Sequence, residues 1–346
     1  MAAAKGLGSG LTSVSDADHG ITLEAVEETL ALIAPHIVET PVVEWSGPEM
    51  RAILPGNSRV HAKLEVFQRS GTFKARGALS NVLRLSAEQL RAGVTAMSAG
   101  NHAIAVAYAA KAAATSAKVV MQRSANPARV DLAKALGAEI LMAEDGPSGF
   151  EMVAEIAAEE GRATIHPFDG LATALGAATL GLEMHRQVGD LDALIVAIGG
   201  GGLAGGVSAI TKRLNPDCLV VGVEPVGADA MHRSFRSGRP ERVEDVDTIA
   251  DSLAPPMTER LPFALCRNNV DRLALVTDRE LAQAMGLIFR ELKLAVEPAC
   301  AASTAALPGL AGEFSGARVG LILCGSNIDR DTYDGYCALG EGRFRP

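Results

Sequence analysis

Aromatic side chains are scarce in this chain: one Trp, three Tyr and nine Phe among 346 residues. The interior must therefore be built from aliphatic and small side chains. With its abundant Gly and Ala, that composition suits a tightly packed α/β protein with many helix–sheet contacts. Positive charge is also in deficit. Lys and Arg number 32 against 41 Asp and Glu, a net charge of −9, which argues against nucleic acid and anionic membranes as partners. The cysteines are Cys218, Cys266, Cys300, Cys324 and Cys337, odd in number and with no C-x-x-C spacing. This argues against a disulfide framework or a zinc site and for a reducing, cytoplasmic setting. No apolar run is long enough to span a bilayer, since the Ala-rich stretch Ala103–Ala114 is broken by Lys111. Residues 1–20 lack a charged segment followed by an apolar one, so they read as a flexible tail rather than a signal peptide. There is no internal repeat and no low-complexity block.

What is present is a rhythm. The length allows two lobes with their own cores. Helical spacing at 21–33 is followed by an extended Thr40–Val43 and an alternating strand at 60–65. Short apolar strands near 94–98, 117–121, 138–142 and 163–166 then alternate with helical patterns near 101–114, 127–136 and 149–160. A helix at 172–187 leads into a second series: strand 193–198, helix 203–213, strand 218–224, helices 278–292 and 300–311, strand 319–324. Such βαβ alternation predicts parallel sheets. The proline-bearing stretch 233–273 is poorly periodic and is expected to wrap a surface or an interface.

Four stations carry chemistry. In Ser70-Gly71-Thr72-Phe73-Lys74-Ala75-Arg76-Gly77-Ala78 a lysine follows a turn at the start of a predicted helix 74–85, with Ser70 or Thr72 as its cap. A lysine so placed suits a Schiff base with an aldehyde cofactor, Phe73 flanking a planar ring. The plain alternative is a surface lysine in a first turn. At Ser98-Ala99-Gly100-Asn101-His102 a strand end meets a helix start, where unpaired backbone N–H groups and the helix dipole favour an anion; an ordinary helix cap is the alternative. His102 is a candidate acid/base or a first-turn residue lining the site. Ile198-Gly199-Gly200-Gly201-Gly202-Leu203 follows a strand and lets the backbone wrap a phosphate at a helix N-terminus. The fourth station, Cys324-Gly325-Ser326-Asn327, ends the last strand. A rival reading of the third exists. Gly200-x-Gly202-x-x-Gly205, with Glu224 at the next strand's end, also satisfies a dinucleotide pattern and would make an NAD-dependent oxidoreductase.

The lysine segment, from Lys63 and Glu65 through Gln68 to Ala78, resembles that of the pyridoxal-phosphate (PLP) serine/threonine dehydratases, a family that includes serine racemases. The resemblance runs from about Thr40 to Asp329, with all four motifs in order. It implies a two-domain fold-type II (tryptophan synthase β-like) α/β architecture. The large PLP-binding domain would take 21–81 and 166–346, with a small mobile domain at 82–165. It implies Lys74 as the catalytic lysine, the 98–102 loop on the substrate carboxylate with Asn101 also facing the cofactor ring, Gly199–Gly202 and Leu203 as the phosphate cup, and Cys324 beside the ring nitrogen. Glu297 would lie near the ring. Glu224 and Ala228 match only part of a cation site of relatives, because Ala230 stands where a carboxylate is expected; no metal is assigned. Ala99 replaces the serine that racemases of this family use as an acid/base, and a methyl carries no proton. The implied activity is therefore an ammonia-lyase (dehydratase) that converts a β-hydroxy amino acid such as threonine or serine to a 2-oxo acid and ammonia. Hydroxyaspartate or phenylserine dehydration, or racemization, are the alternatives on the same fold. His166-Pro167-Phe168-Asp169 and Gly176–Thr179 match another family region, except that Ala177 replaces its glutamine. Only a short tail follows Asp329, so no regulatory domain is expected; a homodimer is.

Overall fold

The structure, a computed structural model, describes residues 19–54 and 56–340. Most of the tail expected over 1–20 lies outside the described residues. Ten strands form two sheets: β1 (Val42–Trp45), β2 (Arg59–Leu64), β3 (Val94–Met97), β4 (Ala117–Gln122), β5 (Glu139–Ala143), β6 (Ala163–Thr164), β7 (Ala193–Ala197), β8 (Leu219–Pro225), β9 (Arg272–Val276) and β10 (Arg318–Leu323). The larger sheet runs β1-β2-β10-β7-β8-β9 and is parallel except where β1 pairs with β2. The smaller runs β5-β4-β3-β6 and is parallel throughout. The inner strands are apolar at nearly every position because helices cover both faces; every residue of β7 is buried.

Three expectations need correction. The lysine helix is Lys74–Val82 and stops short of 85, because its last turn tightens: Arg84 N–H donates to Asn81 O and Leu85 N–H to Val82 O. The helix expected over 300–311 is two pieces, Pro298–Ala305 and Leu307–Leu310. Pro308 has no N–H to continue the first. The stretch 233–273 is not merely a wrap. It contains most of a helix at Ala230–Ser237, a helix at Arg260–Asn269, and the start of β9, which pairs in parallel with β8. Pro262 hid the second helix, yet it sits in the first turn, where no intrahelical N–H is required. That helix buries Leu265 and Cys266, and a Cβ on Gly205 of the glycine-loop helix would lie 3.0 Å from the Leu265 Cβ.

The lysine helix is held from below by a buried ion cluster. Arg76, fully buried, donates to both oxygens of Glu65 and both of Glu183, at 2.7–2.8 Å. Lys63 donates to Glu183, Gln187 and Thr40 O. Two cations thus balance two carboxylates between β2, the lysine helix and the helix Leu171–Val188. The last two approach so closely that a Cβ on Gly176 would lie 2.6 Å from the carbonyl oxygen of Arg76. Among the described residues no helix is long and apolar enough to cross a membrane.

Candidate active site

The lysine turn is stitched to the end of β10. Phe73 N–H donates to Cys324 O (3.0 Å), Ser326 N–H to Gly71 O (3.0 Å), and Thr72 bridges Gly325. Neither Ser70 nor Thr72 is the N-cap, which is Phe73; the Thr72 hydroxyl, one residue earlier, accepts from Lys74 N–H at 3.3 Å. Lys74 opens its helix with its side chain in a cavity of about 610 Å³. Phe73 and Lys74, the loop 98–102, the loop 199–203 and Cys324 all line this one cavity. The sequence-predicted site residues are therefore brought together.

The Lys74 amine donates to Pro167 O at 2.8 Å and lies 5.1 Å from the Phe73 ring centre. Among the described residues no carboxylate makes an ion pair with it. Burial lowers its pKa to about 8, against the opposing pull of Cys324 and Glu297. Half of the amine is then neutral at about pH 8, and the neutral fraction rises with pH. Acylation of Lys74 in the apoprotein, mapped by mass spectrometry, should show a midpoint near 8; a midpoint at the ordinary lysine value of 10.5 would contradict the burial.

The glycine loop supplies the opposite end. Among the described residues, the N–H groups of Gly200, Gly201, Gly202 and Leu203 find no acceptor in the protein, although all four residues are buried. Buried open donors at a helix N-terminus call for an anion. The loop must be glycine: Gly201 has φ of +95°, and a Cβ on Gly200 would lie 2.3 Å from the Phe168 ring.

The loop 98–102 differs from expectation in detail. Ser98 Oγ accepts from Gly100 N–H, so one of the loop's donors is closed internally. Asn101 donates to both Glu297 oxygens (2.7 and 2.9 Å) and to Ser252 Oγ, and accepts from Asn327. His102 is a poor acid/base candidate. It bonds Ile165 O through Nε2, and burial, with the Lys74 charge, pushes its pKa down to about 3, so it is neutral. Cys324 is buried, and its contact with Cys300, with burial, raises its pKa well above the thiol range; it is a neutral S–H.

Several site residues carried no motif. Arg129 donates to Asp251, to Glu297 (3.2 Å) and to Asn327 O, joining the smaller sheet's helices to the larger unit. Glu297 is pushed up to about 7 by burial, against Arg129. Arg129 reads in sequence as one more helical arginine; only a contact across more than 120 residues reveals it. Glu224 is occupied otherwise than a dinucleotide requires. Its two oxygens accept from Met231 and His232 N–H, capping a helix, and the buried side chain is not part of the cavity lining, where a ribose would need it.

A buried lysine amine that shares one cavity with a loop of open N–H donors suits an enzyme with a phosphorylated carbonyl cofactor. Comparison with known proteins identifies the cofactor. Residues 33–325 match the family described as pyridoxal-phosphate dependent enzymes. The chain is 52% identical over 319 residues to phenylserine dehydratase of Ralstonia pickettii, covering 92% of this chain and 97% of the relative. It is 33% identical over 315 residues to L-threonine ammonia-lyase of Thermotoga maritima, covering 91% and 77%. The solved structure of maize serine racemase superposes with a TM-score of 0.85 at 33% identity, over 90% of this chain and 95% of that one. The chain belongs to the pyridoxal-phosphate dependent enzyme family; its fold is type II and its cofactor is pyridoxal 5′-phosphate. The residues present fit that group, with open backbone donors for a phosphate and, for the aldehyde, an amine bonded only to a carbonyl oxygen.

Proposed function

We propose that the protein is an ammonia-lyase that dehydrates a β-hydroxy amino acid to a 2-oxo acid and ammonia. The observation that carries this reading is the shared cavity of Lys74 and the open donors of the glycine loop. Relatives named as dehydratases and ammonia-lyases support it. Pyridoxal phosphate, when bound, supplies an electron sink that acidifies the substrate's Cα–H and lets the β-hydroxyl leave.

The chain's residues divide the remaining work. Lys74 Nζ, its pKa lowered to about 8 by burial, anchors the cofactor and takes the α-proton. Gly200–Leu203 N–H groups hold the phosphate. Cys324, a neutral S–H, would serve as a donor at the ring nitrogen, and Asn101 would serve the ring's oxygen. Ser98, Ala99, Gly100 and His102 position the carboxylate. The segment 82–165 moves as a small domain against 21–81 and 166–346, and its closure excludes water. Arg129, bonded across that division, holds the closed arrangement. A homodimer in a reducing cytoplasm is the assembly we infer, the free state of all five cysteines being consistent with that compartment.

The test is a panel of β-hydroxy amino acids given to the PLP-loaded protein, read as 2-oxo acid and ammonia. Release from at least one supports the reading, and none from any sinks it. The relationship to a serine racemase makes a chiral assay the natural companion. With Ala99 on the loop and His102 neutral and bonded, no D-isomer should accumulate from the L-substrate; D-serine formation would overturn the role given to Ala99.

A further inference from the structure

We propose that Phe150 selects substrates carrying an aryl group on the β-carbon. The inference rests on the ammonia-lyase reading above. Phe150 lies in the helix Gly146–Glu160, lines the cavity, and is 47% exposed. Its place is set by packing. Gly149 is buried, and a Cβ there would lie 3.1 Å from Met97 side-chain atoms, so the helix seats tightly on β3 and carries Phe150 to the cavity rim.

From the rim a row of rings leads inward. Phe150 stacks on His166, with centroids 6.5 Å apart and planes at 27°, and His166 meets Phe168 edge-on at 4.7 Å. His166 Nδ1 accepts from Asp169 N–H at 2.9 Å, which fixes the ring, and burial keeps the imidazole neutral. Pro167, between these rings, bonds the Lys74 amine. The row therefore runs from Phe168, packed on the glycine loop, out to Phe150, along the wall from which Pro167 O meets the amine. A methyl on the β-carbon is too short to use it, whereas a phenyl ring finds aromatic surface for offset or edge packing.

The experiment compares kcat/KM for 3-phenylserine and threonine in the wild-type holoenzyme, Phe150→Ala, Phe150→Leu and Phe150→Tyr. The phenylserine-to-threonine ratio should fall about tenfold in the alanine and leucine variants and recover in the tyrosine variant, which keeps the ring. A ratio within about twofold of wild type in both ring-less variants overturns the proposal. The leucine variant gives the reading should the alanine variant not fold. Wild-type enzyme that dehydrates threonine or serine but not phenylserine overturns this inference alone; no turnover of any of them overturns the ammonia-lyase reading itself.

Discussion

Replacing Lys74 by alanine is expected to abolish the visible absorption of the bound cofactor and to lower turnover by at least about 10³-fold, through loss of both the covalent anchor and the proton-transfer group. The chain has two buried or partly buried lysines on adjoining elements, and their surroundings separate them. Lys63 is saturated: its ammonium meets Glu183, Gln187 and Thr40 O. Its charge is compensated and its amine has no path to a ligand. Lys74 has a single neutral acceptor, Pro167 O, and its amine shares a cavity with the glycine loop. Lys63→Ala should therefore weaken the fold while the protein that does fold keeps its chromophore. The measurement is an absorption spectrum with 2-oxo acid release on both variants. A coloured, active Lys74→Ala protein would refute the assignment.

The second large effect is on stability. Arg76→Ala should destabilise the protein by about 3–5 kcal/mol, because it leaves buried carboxylates without their partner. Glu65 is completely buried. Burial alone would raise its pKa, and the Arg76 guanidinium reverses this and holds it below the ordinary range. With Arg76 gone, Lys63 remains on Glu183, but Glu65 keeps only the Thr40 hydroxyl as a side-chain donor. The comparison is Arg59→Ala, which breaks the Arg59–Glu44 pair at 2.6 Å, half open to solvent on both sides. That change should leave the midpoint of urea unfolding where it is. A shift for Arg76→Ala as small as that for Arg59→Ala would mean that the cluster holds nothing together. Because Arg76 lies two residues beyond Lys74, the same variant should also loosen the lysine turn and weaken cofactor retention.

How far the chain could be read in advance follows from where its signals lie. β7 is an unbroken apolar run and β10 is one after Arg318, and each site turn follows a strand with small residues that only a close ligand or close packing would require. Those elements and the residues on them were legible. β9 was not, because an edge strand with half-exposed residues has no clean alternation. The Arg260–Asn269 helix was hidden by Pro262, a residue that marks breaks in a helix interior and beginnings in a first turn. Arg129 and Asp251 were invisible for a different reason. Each acts through partners far away in the chain, and no spacing rule connects residue 129 to residues 251 and 297. The fingerprint around Gly200 fitted two cofactors; the lysine segment and the 98–102 loop favoured one of them, and Glu224, which the other would need, caps a helix.

The order of the larger sheet has a consequence for biosynthesis. β10 lies between β2 and β7, yet some 250 residues of chain separate it from the first of them and more than 120 from the second. During translation the two flanking edges emerge long before the strand that joins them, and each presents unpaired backbone groups to the crowded cell. The cofactor cavity cannot form until this last piece slides in, since β10 delivers both Cys324 and the backbone stitches to the lysine turn. A ribosome-bound chain lacking it should thus be a client for chaperones and unable to retain the vitamin.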